Sequence, residues 1–284
     1  MIKTKNKTEQ NNSLKSLNLV KVFLIGLSII FILVMLVLPM VSVIRYALQA
    51  GFQTYQEAIF DEYTIKAFKL TITVVISAVI VNTIFGLFAA WTITKFHFRG
   101  KNLLMTLIDI PFAISPVIAG LVFILTFGRI GWAYDFLQAY DIKIVFAVPG
   151  IILATIFVTF PFISREIIPV LNAQGKDEEE AAALMGAGGF YIFTRITLPH
   201  MKWALLYGIV LCSARAMGEF GAVSVISGHL RGKTNTLPLH VEILYNEFNL
   251  TAAFAVSSIL VIMAVIILIA RNIVEYKAKK VGEK

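Results

Sequence analysis

Apolar residues in this chain come in long blocks, separated by short polar connections. Blocks at about 22–44, 70–94, 104–127, 144–164, 203–226 and 252–270 are each long and apolar enough to cross a hydrocarbon core about 30 Å thick. The strict alternation over ten-residue segments that marks a membrane β-barrel is absent. The pattern predicts an all-α, polytopic integral membrane protein with about six transmembrane helices. The first block is too long for a signal-peptide core and has no small-residue cleavage site after it, so it reads as a retained membrane helix. Residues 1–21 read as a polar tail with Lys3, Lys5, Lys7 and Lys15. Residues 45–68 read as an outer segment with an amphipathic helix, and residues 271–284 as a basic tail.

Composition agrees with this picture. The hydrophobic fraction of the 284 residues is 58%, above the roughly 45–50% usual for soluble proteins. The net charge of +8 is accounted for by topology. Seventeen Lys and Arg fall on the side that carries both termini, the 95–103 loop and the 165–202 segment, against seven on the other side. The positive-inside rule puts the richer side in the cytoplasm. That distribution removes the reason to expect a nucleic-acid partner. The one cysteine, Cys212, lies in an apolar block; it cannot form an internal disulfide and is expected to pack as a small hydrophobe.

The connection from Asp177 to Pro199, DEEEAAALMGAGGFYIFTRITLP, is too long and too ordered for a simple loop. Asp177 and Glu180 match a capping box, with Asp177 as N-cap, and the acidic run suits a helix start. Gly186, Gly188 and Gly189 suggest a turn, a second short amphipathic piece follows, and Pro199 marks the restart of a membrane helix. The pattern predicts a charged docking hairpin between membrane spans. Glu180-Ala181-Ala182, then three residues and Gly186, then nine residues and Ile196-Thr197-Leu198-Pro199, fills every fixed position of the EAA motif of ABC-importer permease subunits. Residues 202–253, with ARAMGEFGAVSVISGH and TNTLPLHVEILYNE, resemble the CysW-type permease subunits of bacterial sulfate/thiosulfate ABC importers. Molybdate permeases share an ARxxGEFGA-like core but are less similar beyond it.

The resemblance covers roughly residues 66–270 and implies the type I ABC importer permease fold. It implies that the 177–199 loop, through Glu180, Ala181, Ala182, Gly186, Ile196, Leu198 and Pro199, couples this subunit to separate ATPases. It further implies two cytoplasmic ATP-binding subunits, a second homologous permease, an extracytoplasmic sulfate-binding protein and a bacterial inner membrane location. ATP and magnesium would be bound by the partner ATPases, with no cofactor in this chain and no bond chemistry of its own. A molybdate or tungstate permease is the alternative within the family. An ion-coupled secondary transporter using Glu219 and Asp109 is the alternative from another class.

Charges inside the fifth block are expensive, about 2.5–3.5 kcal/mol each at a helix centre. Arg215 and Glu219 are four apart and can pair on one helix face. They either brace the bundle or line the route of an anion. Gly218 and Gly221 would let the helix bend or a neighbour approach. Asp109 is a third candidate, displaced toward the cytoplasmic end, so Glu219 is the expected partner of Arg215. The stretch Gly228–Thr234 imitates a phosphate loop, but Ser227 stands where the first glycine is needed. His229, His240, Glu242 and Glu247 form no recognised ligand spacing.

Overall fold

The structure, a computed structural model, describes residues 20–282. The tail read over residues 1–21 lies outside these except for Val20 and Lys21, which already belong to the first helix. Among the described residues all regular structure is helical. The order is α1 (Val20–Leu48), α2 (Phe52–Phe60), α3 (Glu62–Lys95), α4 (Lys101–Ala113), α5 (Pro116–Phe127) and α6 (Tyr134–Ala139). Then come α7 (Val148–Gln174), α8 (Asp177–Leu184), α9 (Gly189–Met217), α10 (Gly221–Ser227), α11 (Leu237–Asn246) and α12 (Leu250–Gly282).

Contacts fix the two ends of the bundle. At one end, Lys95 Nζ at the close of α3 donates to Gly175 O just past α7, at 2.6 Å. At the other, Thr64 near the start of α3 shares a hydrogen bond of 3.2 Å with His240 of α11. Phe146 N, just before α7, donates to Ile226 O at 3.0 Å. The chain must therefore cross between residues 101 and 146. The α12 helix starts beside the end of α1, where Tyr46 and Phe254 stack with ring centroids 5.2 Å apart. It reaches the Lys95 end, where Arg271 Nε donates to Tyr207 Oη at 3.0 Å. Five helices are long and apolar enough to cross a membrane, and the bent α4–α5 pair makes a sixth crossing.

Several expected boundaries move. The α3 helix starts at Glu62 rather than near residue 70, because Asp61 caps it by accepting from Tyr63 N at 2.9 Å and Thr64 N at 3.3 Å. The α7 helix runs on to Gln174, and α12 continues through the basic segment read as a tail. Two blocks read as single spans are broken. The α4 and α5 helices meet at 109°, since Pro116 has no N–H and holds Ser115 extended (φ −58°, ψ 133°). The fifth block breaks between Met217 and Gly221. The two breaks lie against each other. A Cβ on Gly120 would sit 2.5 Å from Ala222 O, and one on Gly221 would sit 2.9 Å from Pro116 Cβ. The contact covers Gly120, Glu219 and Ala222, while Ser115 and Gly218 at the breaks themselves stay exposed.

The core follows α7. Ile151, Ala154 and Val158 pack with Val74, Val223, Ile226 and Leu239. Nearer the Lys95 end, Ile163, Ile167 and Leu171 pack with Ala90, Met201 and Cys212. Cys212 is fully buried, as its apolar setting predicts. Buried Asn82 ties three helices, donating to Thr159 Oγ1 at 2.8 Å, Ile156 O at 3.2 Å and, weakly, Cys212 Sγ at 3.7 Å. On the far end, burial and then Arg231 push the His240 imidazole below its ordinary pKa, so a neutral ring faces Thr64.

Gly120→Ala places a methyl against backbone that cannot yield cheaply. It is expected to cost about 1–3 kcal/mol and lower the thermal midpoint of the purified subunit. An unchanged midpoint would show that the two broken helices are not in rigid contact.

Candidate functional site

The connection from Asp177 to Pro199 forms a hairpin at the Lys95 end of the bundle. The α8 helix begins one residue earlier than the capping-box reading requires. Lys176 occupies the N-cap, no side chain caps the helix, and Asp177 is its first residue. The acidic side chains have other partners. Glu179 Oε1 lies 3.0 Å from Lys95 Nζ, with side chains only 15% and 7% exposed, and accepts from Thr197 Oγ1 at 2.6 Å. Glu178 Oε2 lies 3.3 Å from His200 Nε2. Glu179 therefore clamps α8 to α3 and to the base of α9. Trp91 completes the seat, its ring 5.4 Å from Phe193.

The turn uses Gly186 alone in the left-handed region, at φ +87°; Gly188, at φ −71°, is extended. Helix α9 begins at Gly189, so Pro199 does not restart a membrane helix but sits inside one. The five-residue π turn at Phe193–Thr197, in which Leu198 N donates to Phe193 O, adjusts the backbone just before the proline.

Residues of the EAA motif divide by direction. Ala182 is buried and Leu198 packs on the Ile163–Met201 cluster. Ile196 is half-buried, while Glu180, Ala181, Gly186 and Pro199 are exposed. Beside them stand Leu184 (90% exposed), Met185, Phe190 and Tyr191. This apolar tip is too large for a surface facing only water. The motif did not single out these four, although their hydrophobicity beside a glycine turn was visible in the sequence. Nor did it single out Glu179, since spacing does not say which of three consecutive glutamates turns inward.

The second cluster lies at the break after α9. Arg215 Nη1 approaches Glu219 Oε2 to 2.6 Å, as expected from their spacing, with side chains 33% and 1% exposed. The contact is electrostatic rather than a linear hydrogen bond, because Oε2 has no aligned donor. The other oxygen, Oε1, accepts from Ala222 N at 2.8 Å. One carboxylate thus balances Arg215 and caps the short α10. Gly218 ends α9 with open space around it, whereas Gly221 is the site of close approach. Asp109 is not part of this cluster. It pairs with Arg165 of α7, Oδ1 to Nε at 2.8 Å, a partner overlooked because Arg165 falls at the end of an apolar block.

Six crossings, a paired break in the bundle and an apolar-tipped hairpin at one end define a polytopic helical membrane protein with a surface suited to docking. The chain belongs to the family of binding-protein-dependent transport system inner membrane components, matched over residues 82–283. It is a transport component and not an enzyme. It is similar to the sulfate transport system permease protein CysW of Escherichia coli (strain K12), 43% identical over 93% of this chain and 90% of that protein. The CysW protein of Synechocystis sp. is 44% identical over 91% and 94%. The CysT sulfate permease of Escherichia coli (strain K12) is 34% identical over 87% and 90%. In fold the chain is similar to a bacterial alginate ABC transporter, with a TM-score of 0.76, 19% identity, and 95% and 97% of the two chains covered.

Removing one member of the Lys95–Glu179 pair strands a buried charge. Lys95→Met is expected to cost about 3–5 kcal/mol, and Lys95→Met/Glu179→Leu to recover much of that loss. Thermal unfolding of the purified subunit checks both; a single variant as stable as the parent would mean that the clamp contributes nothing.

Proposed function

We propose that this chain is the membrane-spanning permease subunit of an ATP-driven importer of sulfate and thiosulfate. The observation that carries the reading is 43–44% identity to CysW sulfate permeases over more than nine-tenths of the chain, against 34% to a CysT permease. In this reading the subunit sits in the bacterial inner membrane with both termini and the hairpin in the cytoplasm, in line with the charge count. Two ATPase subunits bind ATP and magnesium, so this chain needs no cofactor. A second homologous permease completes the route, and an extracytoplasmic binding protein delivers the anion.

The hairpin receives the motion of an ATPase. Leu184, Met185, Phe190 and Tyr191 supply apolar area to bury, and Glu180 beside them is free to meet a cation. The Lys95–Glu179–Thr197 clamp passes the displacement to α3 and α9 rather than letting the hairpin hinge. In the membrane, Arg215 offsets the charge of the passing dianion. Glu219 keeps the site near neutral, so that the anion can leave.

Radiolabelled sulfate uptake in a strain lacking this subunit, restored by its expression, tests the reading. Thiosulfate is expected to compete and molybdate not to. Arg215→Ala is expected to abolish uptake while the subunit still assembles. Molybdate competing better than thiosulfate would reassign the substrate, and normal uptake by the Arg215 variant would remove it from the route.

A further inference from the structure

The Asp109–Arg165 pair is an unusual object for a membrane surface. Asp109 lies eight residues into α4 from Lys101, and Arg165 nine residues before the end of α7 at Gln174. At about 1.5 Å per residue, both sit about 12–13 Å along their helices from the hairpin end. Yet the Arg165 side chain is 55% exposed and that of Asp109 42%. At that level, on the side the charge count assigns to the cytoplasm, a half-exposed charged pair is costly to set against lipid. It faces water or another protein.

The construction of the site favours water carrying an anion. Asp109 engages Arg165 through Nε alone, at 2.8 Å. The guanidinium lies over the Phe112 ring, 4.8 Å from its centroid, and Phe112 is braced edge-on by Phe162 at 5.2 Å. Ring and carboxylate together fix the plane of the fork. Its two terminal nitrogens have no acceptor among the described residues. A pre-oriented guanidinium with an open edge is suited to binding two oxygens of a tetrahedral oxyanion. Arg215 is likewise balanced by one carboxylate and a third exposed, but it spends a terminal nitrogen, Nη1, on that contact.

The two arginines stand at different levels. Gly208 of α9 packs on Ile163 of α7, with a Cβ there only 3.1 Å from Ile163 Cα. Arg215 is seven residues past that level, and Arg165 two residues to the other side. Their separation along the bundle is therefore about 13 Å. We propose that Arg165, oriented by Asp109 and Phe112, is a second oxyanion-binding station on the translocation route, on the hairpin side of Arg215. The assignment rests on the importer reading above.

The test uses the assembled importer in vesicles. A thiol is introduced by Ala113→Cys, exposed and one helical turn from Asp109, and probed with small anionic and cationic thiosulfonates, with labelling read by mass on this subunit; Cys212 is buried. The anionic reagent is expected to react faster, sulfate to slow it, and added Arg165→Gln to abolish both effects. In the otherwise parental importer, Arg165→Gln is expected to slow sulfate uptake about tenfold or more, with Arg165→Lys only partly restoring it. No labelling by either reagent would mean that this face is sealed against the second permease or lipid. Labelling without charge preference or sulfate protection would mean a wet surface with no station. Either result overturns the inference while leaving the importer reading intact. Absence of sulfate uptake by the parental complex would instead overturn that reading and this inference with it.

Discussion

Backbone that leaves helical geometry inside a membrane has no water to satisfy it, and this constraint governs the middle of the molecule. Two helical runs break here, and the half-helices that follow the breaks pack against each other. Proline at 116 forces the first; the second follows Gly218. The α5 and α10 half-helices come together because Gly120 and Gly221 carry no side chain at the contact. The free amide of Ala222 is met by Glu219 rather than by solvent. That same carboxylate lies against Arg215. The charge balance of the membrane interior and the integrity of the broken helix therefore depend on one residue.

Charge is placed with similar economy elsewhere. The Lys95–Glu179 pair is almost fully enclosed and holds the hairpin to the end of α3. The Arg215–Glu219 pair hides its acid and shows part of its base. The Asp109–Arg165 pair shows both members. This gradient of exposure separates a structural pair from pairs that can meet a ligand. A buried pair is strongly destabilising to break and adds little when intact, which suits a fixed joint. A half-exposed arginine with spare donors can exchange one partner for another.

Much of this was legible in the sequence. Block length sets the helical membrane class, and the spacing from Glu180 to Pro199 marks the hairpin. The four-residue separation of Arg215 and Glu219 was enough to foresee their pairing. The misreadings have physical causes. Block length is blind to where a helix bends: Gly218 and Gly221 signalled a bend in the 203–226 block, whereas the 104–127 block was read as one span although Pro116 lay within it. Asp177 has the chemistry of an N-cap, but it is the first helical residue, Lys176 takes the N-cap, and the capping box does not form. Pro199 looked like a restart because a π turn that accommodates it leaves no mark in composition. Long-range pairing was not legible at all. Nothing local tells that Glu179 meets Lys95, eighty-four residues away, or that Asp109 meets Arg165 instead of Arg215.

The central claim is that this subunit moves its anion with energy received through the hairpin from ATP hydrolysed elsewhere. The most direct measurement is sulfate uptake by the reconstituted complex in sealed vesicles with no ion gradient, with ATP on the hairpin side, with and without vanadate. The account predicts uptake that requires ATP and stops with vanadate. Uptake that proceeds without ATP when an ion gradient is imposed would contradict it.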